Sequence, residues 1–287
     1  MIAGWSSLVA RQAHNLKVVG SNPTPATKVK TMSTLGEKLA NAWIKKDLID
    51  VKSEDIPKSR KDSHLIQQQF HKVLNKKTIG WKIGMVTKNL QDGAKVDGPM
   101  IGKIIGETVL INPLKIEYSK IPHCILECEF ALKFLEDTRM VPGAENKKSN
   151  YEIYISLELV STRVKPDSKK DLNPQDLMNL NIADNGGAGA IVVGDKIENL
   201  EKVDLNSIQV QVDLNGKITE PFFTGQKRAH PVESIKCIIK EFKDNPVTFK
   251  EGDWFMSGSV IQPMKISKGD KVKIDFKTLG KINLDFI

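Results

Sequence analysis

Cys124-Ile-Leu-Glu-Cys-Glu-Phe-Ala-Leu-Lys-Phe134 alternates without a break: Cys124, Leu126, Cys128, Phe130, Leu132 and Phe134 fall on one face. That is the period of a half-buried β-strand. Glu127 and Glu129 then share the opposite face, roughly 6.5 to 7 Å apart at two residues of rise. Tyr151-Glu-Ile-Tyr-Ile-Ser-Leu-Glu-Leu159 repeats the pattern, with Ile153, Ile155, Leu157 and Leu159 on one face and Glu158 on the other. Like charges side by side on a sheet face repel, so the arrangement calls for water, a cation or a raised pKa. Two readings follow. The glutamates either line a solvated strand face or form the ligand set of one divalent cation. An all-carboxylate set of hard oxygen donors suits Mg²⁺, Mn²⁺ or Ca²⁺ better than zinc.

Outward from these strands, the chain after Lys77 reads as short strands separated by Gly, Pro, Asn and Asp turns. Among the few helices the clearest is Pro231 to Phe242, opened by proline in its first turn. Lys250-Glu-Gly-Asp-Trp254 and Ser267-Lys-Gly-Asp-Lys271 each place a Gly-Asp turn ahead of a strand. Upstream, Leu35, Leu39, Trp43, Ile44 and Leu48 mark a helix starting at Thr34. After a break at Pro57, a second helix capped by Asp62 or Ser63 carries Leu65, Ile66, Phe70, Val73 and Leu74. Runs of strands with segregated helices predict an α+β fold. The expected organisation is a leader over residues 1–31, a helical segment over 32–78 and a β-rich catalytic domain over 79–287. The leader lacks amphipathic period and precedes Met32. It resembles the spurious translation of a transfer-RNA gene ahead of a bacterial reading frame, and is less like a transit peptide because of its prolines and poor helical period.

At 287 residues with 40% hydrophobic content, the chain can bury one sizeable core or two small ones. No apolar run approaches the roughly 20 residues of a membrane span, so no membrane association is expected. Cys124, Cys128 and Cys237 form no disulfide framework and read as reduced thiols of a cytoplasmic protein. His123 beside two of them lacks the second Cys or His pair that a zinc site needs. Of the net charge of +8, residues 1–31 supply four positive charges and no acid, leaving +4 on the rest. The remaining lysines are interspersed with acids, which argues against a nucleic-acid partner.

Several short motifs occur in a characteristic order: Gly80-Trp-Lys-Ile-Gly-Met85, Leu126-Glu-Cys-Glu-Phe130, Leu157-Glu-Leu159 with Ser161-Thr-Arg163, Ala183-Asp-Asn185, His230-Pro231, Ser257-Gly-Ser259 and Leu279-Gly-Lys-Ile-Asn-Leu-Asp-Phe286. From about residue 62 onward the chain resembles the 2-keto-4-pentenoate hydratase and 4-oxalocrotonate decarboxylase branch of the fumarylacetoacetate hydrolase superfamily. The resemblance implies a rolled, partly barrel-like mixed sheet. It also implies a lyase of aromatic-compound catabolism, acting with Mg²⁺ or Mn²⁺ on a small unsaturated 2-oxo acid or its dienol. Glu127, Glu129 and Glu158 would be the metal ligands. Hydratase chemistry is the first expectation and decarboxylation the second. Relatives of this branch associate with one another, so a homo-oligomer, a complex with a related enzyme of the same pathway, or a catalytically silent partner subunit is also consistent.

The resemblance places a proton-transferring lysine at Lys82, where flanking glycines permit close backbone approach and an apolar setting would lower its pKa. Asp184 and Asn185 become substrate contacts, although Gly186 and Gly187 stand where the family often has a serine. A nucleotide loop is excluded there, because the glycines precede a strand rather than open a helix. Ser257 and Ser259 would hold a substrate carboxylate, and no G-x-S-x-G elbow supports a serine hydrolase. His230, before the proline that opens a helix, is as readily a cap as a catalyst. In Val96-Asp-Gly-Pro-Met100 the family's aspartate is kept as Asp97, a catalytic candidate, but Met100 occupies the place of a second acid common in hydratases. Decarboxylase relatives tend to be apolar there.

Overall fold

The structure, a computed structural model, describes residues 34–220 and 222–287. The leader therefore lies outside the described residues. The alternating stretches form the long central strands Ile125–Phe134 and Tyr151–Val160, paired antiparallel along their whole length. Around them an eight-stranded sheet runs in the order Met100–Ile105, Thr78–Gly84, Trp254–Met256, Ile125–Phe134, Tyr151–Val160, Ala188–Lys196, Val109–Ile111, with Met264–Lys265 pairing the start of the Ile125–Phe134 strand. Two of the pairings are parallel and the others antiparallel, so the sheet is mixed. A five-stranded sheet (Lys217–Thr219, Gln211–Leu214, Lys271–Asp275, Lys281–Phe286, Lys115–Ile116) stands against it.

The main core lies between the two sheets. Leu126, Cys128, Phe130, Leu132 and Phe134 pack there with Ile153, Ile155, Val272, Ile274, Leu284 and Phe286. The other face of the central strands is not left to water. In register, Lys82 pairs with Met256, Met256 with Ala131, and Ala131 with Tyr154, so these residues share the face that carries the glutamates. Beyond the glutamates Ala131, Met256, Trp254, Ile191 and Val193 form a second apolar cluster. The solvated-face reading fails for this reason.

Five α-helices complete the described fold, and their ends follow capping chemistry. Thr34 and Glu37 form a capping box at the start of Leu35–Lys45, and Lys46 closes it in the left-handed region. Ile44, expected on the buried stripe, is 55% exposed, and Leu48 lies beyond the closed end. The next helix, Arg60–Leu74, is capped by Ser59 rather than Asp62 or Ser63. Ser63 is instead fully buried one turn in, its hydroxyl donating to Ser59 O. Phe70 and Leu74 face the core as expected, whereas Leu65 and Val73 are exposed. These two helices pack with Ile105, Val164 and Leu180 in a separate apolar cluster. Pro231–Glu241 begins at its proline, behind His230 as N-cap. Both Gly-Asp turns form as read, with Asp253 accepting from Lys250 N and Asp270 from Ser267 N. Lys88–Ala94 and Pro174–Ala183 were not anticipated. The first buries no residue, and the second buries Met178, Asn179, Leu180, Ile182 and Ala183, more than one face, so neither carries a one-sided stripe.

Candidate metal centre

Glu127 and Glu158 stand directly opposite one another on the central pair, and Glu129 lies two residues along, opposite Ser156. One carboxylate oxygen from each of the three falls within 4.8 Å of the others. Glu129 and Glu158 are buried, while Glu127 is partly exposed and lines a cavity of about 230 Å³ with Gly84, Met85, Met100, Gly258 and Ser259. The cluster thus opens on one side only.

Lys82 is 1% exposed, and its Nζ lies 3.0 Å from Glu158 Oε1, off the ideal hydrogen-bond direction. Two strands separate Lys82 from Glu158 in the sheet order, and strand side chains stand roughly perpendicular to the sheet. The contact therefore requires the sheet to curl around the site. Gly80 permits the close pairing of the Lys82 strand, since a Cβ there would meet Trp254 O at 1.8 Å. At the far side Gly258 adopts φ +92°, and its N–H donates to Glu129 Oε2 at 2.9 Å. Glu129 Oε1 is buried without a partner.

Electrostatics explain what such a cluster needs. Burial first, and repulsion from Glu158 second, push Glu127 up to about 7. The same causes, with Glu127 added, hold Glu129 well above the usual carboxylate range. Burial also raises Glu158, against the pull of Lys82. For Lys82, burial lowers the pKa, but Glu158, Glu127 and Glu129 outweigh it and the net shift is upward. The expected apolar setting is thus corrected: the lysine sits among carboxylates and stays an ammonium. If all three were ionised, three carboxylates against one ammonium would leave an excess of negative charge at low solvent access, which is why their pKa values rise in the metal-free site. A hard divalent cation such as Mg²⁺ fits that excess, the orphaned Glu129 oxygen and the all-oxygen donor set.

The remaining candidates are distributed differently. Ser257 is buried behind the Gly258 turn, its carbonyl accepting from Ser234 Oγ at 2.5 Å and its own Oγ unpartnered. Ser259 lines the Glu127 cavity, but its hydroxyl is held by Ile261 O at 2.9 Å. Asp97 is not brought to the cluster. Its side chain is 57% exposed and is bound by Arg60 Nη1 and Gln175 Nε2, which tie its loop to two helices. Asp184 is buried, but both its oxygens are taken: Oδ1 by Arg163 Nε, Oδ2 by Thr162 Oγ1 and Arg163 N. Asn185 imitates a strand neighbour, accepting from Lys103 N and donating to Lys103 O, with His71 Nε2 on the same Oδ1. Asp184 and Asn185, the expected substrate contacts, are thus each engaged in bonds within the fold. Missed from the sequence were the clamp role of Arg163, visible as a motif without a partner, and Ser156, whose hydroxyl steadies Glu129 O at 3.1 Å.

A mixed, curled sheet with a carboxylate trio and buried lysine defines the class as an α+β protein built around a candidate divalent-cation site. No family model matches the chain. It is 22% identical over 258 residues to 4-oxalocrotonate decarboxylase of Pseudomonas putida, covering 88% of this chain and 96% of that protein. Likewise it is 22% identical over 264 residues to 2-oxo-hept-4-ene-1,7-dioate hydratase of Escherichia coli, covering 90% and 98%. Among solved structures, 4-oxalocrotonate decarboxylase from Pseudomonas putida G7, complexed with magnesium and adipate, superposes with a TM-score of 0.75 at 19% identity, covering 88% of this chain and 95% of that one. These likenesses are to proteins named for a decarboxylase and a hydratase, and the superposition shows a shared fold.

Proposed function

We propose that the chain is a divalent-metal-dependent lyase of hydratase type acting on a small unsaturated 2-oxo acid or its dienol. The observation that carries the reading is the trio Glu127, Glu129 and Glu158, with carboxylate oxygens within 4.8 Å and a buried lysine 3.0 Å from one of them. Mg²⁺ is the cofactor the donor set fits, and bound there it would supply electrophilic stabilisation of the enolate formed from a 2-oxo acid. Lys82 Nζ is the proton carrier: it is an ammonium in the resting site and lies against the carboxylates. The burial of Lys82 keeps bulk water from its ammonium, and Ser257 Oγ lies buried and unpartnered beside the Gly258 turn. The relatives named for a hydratase and a decarboxylase over nearly their full lengths support the same reading.

One observation favours decarboxylation as the second reading. Met100, where the resemblance implies an acid in hydratases, lines the Glu127 cavity. Water addition then has no second carboxyl group at that wall. A panel of 2-oxo and 2-hydroxydienoic acids followed by ultraviolet absorbance, with and without Mg²⁺, separates the two by product. Absence of Mg²⁺-dependent turnover on every acid would leave the silent-subunit reading in place. The proposal includes a cytoplasmic homo-oligomer, able to associate with a related enzyme of its pathway, and light scattering measures that mass directly. No helix among the described residues is long and apolar enough to cross a membrane.

A further inference from the structure

Glu129 lies under a loop, residues 257–260, that is pinned to its strand on both sides. Ser257 N donates to Phe130 O at 3.1 Å and Val260 N to Cys128 O at 2.8 Å, one bond on either side of Glu129 in the sequence. Between these bonds Gly258 turns at φ +92° and donates its N–H to Glu129 Oε2 at 2.9 Å. The turn is closely packed: a Cβ on Gly258 would meet Val86 Cγ2 at 2.9 Å and Ile83 O at 3.2 Å.

A further tether comes from a helix. Ser234 lies in the first turn of Pro231–Glu241 and is fully buried, with Ile235 and Ile238 buried beside it. A buried hydroxyl needs a partner, and the ordinary one for a helical serine is the carbonyl one turn back. Ser234 Oγ does lie 3.0 Å from His230 O, but that oxygen already accepts the helix bond from Ser234 N at 3.0 Å. Ser257 O is nearer to the hydroxyl, at 2.5 Å, and a serine has one proton to donate. The proton therefore goes to the loop.

Ser257 C=O and Gly258 N–H belong to one peptide group, planar and trans, so its oxygen and hydrogen point in opposite directions. Ser234 Oγ holds the oxygen end, and Glu129 Oε2 takes the hydrogen end. A donor on the carbonyl polarises the peptide and strengthens its N–H toward the carboxylate. It also fixes the plane of a glycine peptide, which has the most freedom to turn away. Glu129 Oε1 stays buried without a partner. We infer that Ser234 is a positioning residue for the metal centre: through the Ser257–Gly258 peptide it anchors one oxygen of Glu129 and leaves the other free for the cation. The inference rests on the proposed function for the cation itself.

Ser234→Ala removes the hydroxyl and puts a strong helix former in its place, and the test takes two readings on the full chain. In metal-free protein labelled with ¹⁵N-glycine, the assigned Gly258 amide proton resonance should move upfield in the variant as its bond to the carboxylate weakens. By calorimetry, Mg²⁺ affinity should fall about fivefold, the size of one net hydrogen bond. Should the alanine variant not fold, Ser234→Cys, close in size and a weaker donor, carries the same two readings. An unmoved Gly258 resonance overturns the inference, because a serine that bonds only its own helix leaves the loop untouched. So does a moved resonance with Mg²⁺ affinity equal to wild type. Wild-type protein that binds no Mg²⁺ sinks the proposed metal centre, and this inference with it. Mg²⁺ binding that weakens in the variant of a chain that turns over no 2-oxo acid supports the inference and sinks the hydratase reading alone.

Discussion

Lys82 Nζ and Glu158 Oε1 lie 3.0 Å apart with both side chains buried, although two strands intervene between them in the sheet. The ammonium is what makes three clustered carboxylates tolerable before any cation arrives, since it lowers the pKa of each. Lys82→Met deletes that charge and keeps the apolar stem. The expected result is a fall in kcat of roughly 10²-fold or more, the usual size of a lost acid–base group. Without Mg²⁺ the variant should also melt at lower temperature than wild type, and saturating Mg²⁺ should narrow the gap. Wild-type kcat in the variant would make Lys82 a structural counter-ion only.

Each glutamate should matter to the metal, but not equally to the fold. Glu127→Gln, Glu129→Gln and Glu158→Gln each remove one anionic ligand, so each should weaken Mg²⁺ binding and abolish turnover. Metal-free stability should move the other way in Glu129→Gln. There the amide oxygen can still accept from Gly258 N–H while the repulsion within the cluster is relieved. Titration calorimetry and thermal melts on the same preparations give both readings. Unchanged Mg²⁺ affinity in two of the three variants would remove the site.

The raised carboxylates set a sign for pH. Glu127 goes from its ordinary 4.5 to about 7 on folding, and Glu129 moves in the same direction. Between pH 4.5 and about 7 the folded protein therefore holds more protons than the unfolded chain, and its stability falls as pH rises through that window. Metal-free melts should decline across it. The stabilisation by Mg²⁺ should grow over the same range, because the ligands must shed protons to bind. A metal-free melting temperature that climbs steadily from pH 5 to 8 would contradict the buried, mutually repelling arrangement.

How much of this was legible depends on the range of the interaction. The central strands, the face that each glutamate occupies and the start of the first helix at Thr34 are local patterns, and periodicity writes them into consecutive residues. The burial of Glu129 and Lys82 was not legible, because it comes from curling of the sheet and from an apolar cluster assembled from strands over a hundred residues apart. The surroundings of Asp97 were hidden for a related reason. Nothing in Val96-Asp-Gly-Pro announces that Arg60 and Gln175 will claim its carboxylate from two helices. Pro174–Ala183 was hidden because a helix buried on more than one side carries no stripe.

Asp184 gives the sharpest separation between a structural and a substrate role. Its carboxylate accepts from Arg163 Nε at 2.6 Å and from Thr162 Oγ1 and Arg163 N at 2.9 Å each. Arg163 Nη1 in turn donates to Ser161 O and Ala188 O, and Nη2 to Asp184 O, so the pair joins the end of the Tyr151–Val160 strand to the turn that opens the next one. Both residues are buried, at 1% and 4% exposure. Asp184→Asn keeps the shape and leaves the guanidinium without a counter-charge, a change that typically costs about 3–5 kcal/mol. The expected outcome is a large drop in melting temperature and in denaturant midpoint. At a temperature where the variant remains folded, KM for the best substrate should stay within about threefold of wild type, because no binding energy is lost. A melting temperature unchanged by the substitution, together with a KM raised tenfold or more, would return Asp184 to the substrate-binding set.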